Sequence, residues 1–200
     1  FLHSPKLGIS LDLSRMGLDD AFLDSMQPAT EKAWIAINEL ERGAIANPDE
    51  NRMVGHYWLR DAALSPTPEI RAEIEKMLHD VVAFANTVHT GAVKPATRAR
   101  FTRVLSIGIG GSALGPQFIA EALAHADDKM KLVFIDNTDP DGYDRVLAGD
   151  LSETLTVVIS KSGSTPEALN GMLEAANAYK KQGLDFAKHA VAVTGDGSVL

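Results

Sequence analysis

Leu155-Thr156-Val157-Val158-Ile159, followed at once by Ser160-Lys161-Ser162-Gly163-Ser164-Thr165-Pro166-Glu167, is the stretch that decides the fold. The first five residues are apolar except for one threonine and do not alternate with polar ones, as expected of a strand buried on both faces. After the turn, Ala168, Leu169, Met172, Leu173 and Ala176 recur at helical spacing. A buried strand therefore runs into a hydroxyl-rich turn and then a helix. Four hydroxyls, a lysine and a glycine gather where unpaired amides and the positive end of a helix dipole also point, which is the chemistry of an anion site, most simply a phosphate site. A plain helix start is the competing reading: Ser164 and Glu167 have capping-box spacing, and Pro166 suits a first turn. Capping leaves Ser160, Lys161 and Ser162 unexplained.

Working outward, three more runs match the first: Val104–Ile109, Leu132–Ile135 and Ala190–Val193. Helical segments separate them, near Pro116–His125, Pro140–Ala148 and Thr165–Lys181. Apolar runs alternating with helices predict an α/β fold with a parallel sheet and helices on both faces. Ligands of such sheets bind at the carboxyl ends of the strands. Residues 1–95 show no such rhythm and predict an N-terminal helical region. An irregular helical pattern through Leu11, Leu13, Met16, Phe22 and Met26 stops at Pro28. A second helix runs from about Thr30 to Gly43 with Trp34, Ile37 and Leu40 inward. Asn47–Asn51 reads as a loop. A long helix from Thr67-Pro68 to Gly91 turns Ile70, Ile74, Met77, Leu78, Val81, Val82 and Ala85 inward. Residues 92–100 read as a linker, and 96–200 as an α/β domain whose last strand has no covering helix, so that the fold looks interrupted at its C-terminal end.

The first strand ends in Gly108-Ile109-Gly110-Gly111-Ser112-Ala113-Leu114-Gly115-Pro116, a loop whose glycines let a backbone approach a ligand closely. Gly108, Gly110 and Ala113 also fit the dinucleotide-binding pattern, and Asp136 closes the second strand where a ribose-binding acid could sit. It stands further along than the usual distance of about 20 residues, and the hydroxyl loop has no role in dinucleotide binding. Two anion-type loops on neighbouring strands suit a phosphorylated small molecule better, and a nicotinamide-binding domain stays open as the alternative. Thr138 or Asp139 is expected to cap the helix starting at Pro140. His56, Trp58 and Arg60 are expected to be aromatic packing, with Arg60 paired to a carboxylate. His79 and His89 have no metal-ligand spacing.

Twenty-seven acidic against nineteen basic residues give a net charge of −8, which argues against a nucleic-acid or anionic-membrane partner. No cysteine occurs, so disulfides, thiol nucleophiles and thiolate metal sites are excluded. No apolar run has the length of a membrane span, about 18 residues. The first residue is Phe1, from which a chain that began further upstream is expected.

Taken together, Gly108–Pro116, Ser160–Glu167, Asn51–Arg60 and Phe134–Pro140 resemble the glucose-6-phosphate isomerase (phosphoglucose isomerase) family, and within it the cyanobacterial and plant-plastid branch. The likeness runs from about Leu7 onward and looks like the N-terminal part of such an enzyme. The resemblance implies a sugar-isomerase-type domain of flavodoxin-like strand order over 96–200. It also implies reversible aldose–ketose isomerisation of glucose 6-phosphate and fructose 6-phosphate through a cis-enediol, with no cofactor and no metal. By matching position, Ser160, Lys161, Ser162 and Thr165 would hold the phosphate, and Gly110, Gly111 and Ser112 would lie along the sugar and phosphate. Most relatives outside this branch carry a bulky aromatic residue where this chain has Gly163. The family's glutamate base and its assisting histidine, arginine and lysine lie beyond the matched segment, so no catalytic residue is expected here and the chain alone should not turn substrate over. The resemblance further implies a homodimer in the bacterial cytoplasm, or alternatively the plastid stroma. A non-catalytic phosphosugar-binding module is the other reading, and residues resembling 47–60 are unusual in such modules.

Overall fold

The computed structural model describes all residues, Phe1–Leu200, which form two compact units, Phe1–Asp80 and Val81–Leu200.

The first unit opens with a hairpin rather than a helix. Strands β1 (Leu2–Ser4) and β2 (Ile9–Leu11) pair antiparallel, Leu2 opposite Leu11. Helix α1 then runs unbroken over Asp20–Glu41, with Pro28 inside it. Asp19 caps α1 by accepting from Phe22 N at 2.8 Å. The expected break at Pro28 does not occur: α1 runs through it, at the loss of one helical donor. Trp34, expected inside, is 62% exposed, and Ile37 and Leu40 are half-buried. Loop 47–51 joins two further short strands, β3 (Ile45–Asn47) and β4 (Arg52–Met53). Helix α2 (His56–Arg60) follows and buries Trp58, whose Nε1 donates to Glu41 O at 2.9 Å. Gly55 leaves room for that indole, since a Cβ there would come within 2.9 Å of it. Arg60 is exposed and lacks its expected carboxylate. Helix α3 spans Pro68–Thr90 as expected, yet of its apolar face Ile74 is buried while Met77, Leu78, Val81 and Val82 are exposed. Amphipathic spacing says which side of a helix is apolar; it does not say what lies against it.

The second unit carries the sheet. Strands β5 (Arg103–Ile107), β6 (Lys131–Ile135), β7 (Thr154–Ile159) and β8 (Ala190–Val193) are all parallel, in the order β6-β5-β7-β8. Helices α4 (Gly111–Leu123), α5 (Pro140–Leu147) and α6 (Pro166–Lys181) connect them. Numbered within the sheet, the order is 2-1-3-4, that of flavodoxin-like folds, with its switch point between β5 and β7. On one face Leu105, Ile107, Ile135 and Val158 pack with Tyr143 and Leu147 of α5 and Ala175 of α6. On the other, Val88 of α3 packs with Phe101 and Leu155. Gly171 lets α6 lie on the sheet, because a Cβ there would stand 2.8 Å from Ile107 Cγ2. Below α6, Tyr179 Oη donates to Thr154 O at 2.9 Å and meets Thr156 Oγ1 at 3.0 Å. Burial is the main cause that pushes the Tyr179 phenol up. Segment 92–100 is irregular, as a linker would be, but it is pinned: Pro95 is buried, and Arg98 Nε donates to Ser152 Oγ at 2.9 Å.

Candidate anion site

β5 and β7 are neighbours in register, Ile107 beside Val158, so the loops that follow them leave the sheet at the same edge. The sheet thus brings together two loops far apart in sequence. Helices α4 and α6 start there, and neither has a side-chain cap. By contrast α5, which follows β6, is capped by Asp139 Oδ2 accepting from Gly142 N at 3.0 Å. Uncapped helix starts leave first-turn amides for another acceptor, and the helix dipole favours an anion in that place.

In the β7 loop, Ser160 is 3% exposed and acts as its internal tie. Its Oγ accepts from Gly163 N at 3.1 Å and donates to Thr165 Oγ1 at 3.2 Å. Ser162 Oγ meets Ser164 Oγ at 2.9 Å and accepts from Ser164 N at 3.2 Å. Ser162, Ser164 and Lys161 are exposed, and Thr165 is half-buried. Pro166 opens α6 as expected. The expected capping box is absent: Thr165, not Ser164, stands at the N-cap, because Ser164 is engaged with Ser162. The loop hydroxyls therefore hold each other rather than the helix.

The β5 loop is shorter than expected. Only Gly108-Ile109-Gly110 is loop, and Gly111 and Ser112 already belong to α4, with Pro116 inside the helix. Gly108 is buried against Ser112, where a Cβ would fall 2.9 Å from Ser112 Cβ. Gly110 has φ of +56°, and open space lies over both Gly110 and Gly111. The structure thus joins Gly110, Gly111 and Ser112 at one rim with Ser160, Lys161, Ser162 and Thr165 at the other.

Asp136 is held by its surroundings: Oδ2 accepts from Gln117 Nε2 at 2.8 Å and Oδ1 from Asn137 Nδ2 at 2.8 Å. A carboxylate so engaged is a poor ribose ligand, which weakens the dinucleotide reading. His189 is 1% exposed and precedes β8, at the amino ends of the strands and away from both loops. Its Nδ1 donates to Thr154 O at 3.1 Å, beside Phe101 and Tyr179. A cleft of about 620 Å³ lies elsewhere, between Ile119 and Leu123 of α4 and Leu132 and Phe134 of β6. Sequence reasoning missed Gln117, whose bond to Asp136 spans α4 and β6. It also missed the segment after β8, where Gly195 N donates to Lys161 O at 3.0 Å. Neither carries a local signal, since both depend on strand neighbours.

This is a doubly wound α/β domain with two uncapped helix starts at its topological switch point. The family model Phosphoglucose isomerase matches residues 12–198, and the chain belongs to that family. It is 60% identical to a glucose-6-phosphate isomerase of Acaryochloris marina over 99% of this chain and 38% of the relative. The glucose-6-phosphate isomerase of Geobacter sulfurreducens is also 60% identical, over 100% of this chain and 38% of its own length. The crystal structure of a glucose-6-phosphate isomerase from Chlamydia trachomatis superposes with a TM-score of 0.77 at 30% identity, over 92% of this chain and 36% of that one. The chain thus spans well under half the length of these relatives.

Proposed function

We propose that this chain supplies the phosphate-holding part of an enzyme that interconverts glucose 6-phosphate and fructose 6-phosphate. Ser160, Lys161, Ser162 and Thr165 take the phosphate, and Gly110, Gly111 and Ser112 lie along the sugar and phosphate. The observation that carries the reading is the adjacency of β5 and β7, which sets two uncapped helix starts and a hydroxyl loop around one place. Phosphate is the unreactive end of such a substrate. Its role is to fix C1 and C2 against an acid–base pair, and the proton then passes between those carbons through a cis-enediol. Glu167 lies in the first turn of α6 and His189 is buried at the opposite end of the strands, so neither is assigned as the base. The division into residues 1–95 and a sugar-isomerase-type domain over 96–200, a homodimer and a cytoplasmic setting belong to the same reading. No helix is long and apolar enough to cross a membrane.

Calorimetric titration with fructose 6-phosphate tests it. Ser162→Ala should weaken binding about ten-fold, the loss of one hydrogen bond to a charged group, and Ser160→Ala by a similar factor, because Ser160 Oγ ties Gly163 N and Thr165 Oγ1 in place. Binding of NADH with no affinity for the sugar phosphate would overturn the reading. Turnover of glucose 6-phosphate by this chain alone would overturn the placement of the base outside it.

A further inference from the structure

The segment after β8, Thr194–Leu200, lies against the back of the hydroxyl loop. Gly195 N donates to Lys161 O at 3.0 Å, and Ser160 N donates to Val193 O at 3.1 Å. Gly163 is buried with φ of +73°, and a Cβ there would stand 2.6 Å from Leu200 N and 2.8 Å from Ser198 Oγ. The segment is itself stapled by Ser198, whose Oγ accepts from Thr194 Oγ1 at 2.6 Å and from Leu200 N at 3.0 Å. Leu200 in turn packs on the core formed by Leu105, Ile107 and Val158. A chain of contacts therefore runs from the sheet core through Leu200 and Ser198 to Gly163.

We infer that Thr194–Leu200 is a buttress that sets the shape of the anion loop, with Gly163 and Ser198 as its positioning residues. The inference rests on the phosphate reading of that loop. Its physical content is the orientation of one peptide. All peptide bonds are trans, so holding Lys161 O on Gly195 turns the N–H of Ser162 the opposite way, out from the buttress. Without Ser198 the turn loses the acceptor for two donors, and Gly195 is no longer held in place. At Gly163 a side chain is excluded twice over, by the left-handed backbone and by the contact with Leu200 and Ser198. Glycine here and the stapled turn behind it therefore form a matched pair.

The test uses the chain with Ser198→Ala, Ser198→Thr and Gly163→Ala, each titrated with fructose 6-phosphate and with inorganic phosphate while backbone amide resonances are followed. Ser198→Ala should weaken both ligands about three- to ten-fold and Gly163→Ala more than about ten-fold, with Ser198→Thr restoring affinity because it keeps the acceptor oxygen. The losses should come with shifted amides in residues 161–165 and unmoved amides in β5 and β6. Wild-type affinity in both Ser198→Ala and Gly163→Ala would overturn the buttress while leaving the phosphate site standing. Loss of affinity with shifts throughout the sheet would also overturn it, since the effect would then be on the fold. A wild-type chain that binds neither ligand would overturn the phosphate reading and this inference together.

Discussion

The two compact units differ in how far they bury their own apolar residues. In Phe1–Asp80 only Trp58 and Ile74 are buried, and α1 buries nothing over its whole length. In Val81–Leu200 Leu105, Ile107, Leu151 and Tyr179 are inaccessible. The second unit has a sheet with helices laid on its faces, so each inward side chain of β5 and β7 meets a partner. The first is built of hairpins and amphipathic helices, whose apolar sides need something set against them. The proposed anion site sits on the unit with the closed core, where neighbouring strands define the positions of its loops.

The largest expected effect separates the units by substitution. Leu105→Ala should cost about 2–5 kcal/mol in denaturant unfolding, while Trp34→Ala, at an exposed position, should stay within about 0.5 kcal/mol. Equal losses would break the contrast. A smaller effect sharpens it through glycine. Gly171→Ala, which drives a methyl into Ile107, should cost about 1–3 kcal/mol, whereas Gly8→Ala, in open space with a left-handed backbone, should cost about 1 kcal/mol from strain alone. The smallest effect is one on which the units should agree. Asp12 and Asp150 are both held below the ordinary carboxylate value, 3.8, first by the backbone N–H of Ser14 and of Ser152. A depressed carboxylate stabilises the folded chain above its unfolded pKa, and that stability is lost as pH falls through the folded value. Thermal unfolding followed downward from pH 5 should show a slight acid loss, which Asp12→Asn and Asp150→Asn each reduce; a rise in stability on acidification would contradict both.

Much of the second unit was legible in the residues. Four unalternating apolar runs became four parallel strands within two residues of their expected ends, and Asp139 capped α5 as its place before Pro140 implied. The first unit was read less well. Residues 2–11 form a hairpin too short for its alternation to stand out, and Pro28 was taken as a boundary that α1 runs through. For the candidate site the sequence named residues but not how they would be arranged. Nothing local told that Ser164 would turn to Ser162 instead of capping α6, or that Asp136 would be taken up by Gln117.

The hydroxyl loop at 160–167, the glycine loop at 108–116 and the strand–helix alternation are properties of the sequence by itself. They follow from side-chain chemistry and from periodicities that span a few residues. Tertiary structure decided which strands became neighbours, and therefore that the two loops share one edge, that Thr194–Leu200 backs Gly163, and that His189 lies at the far end of the strands. Those outcomes depend on strand order, which hydrogen bonds between distant segments set and no local pattern encodes.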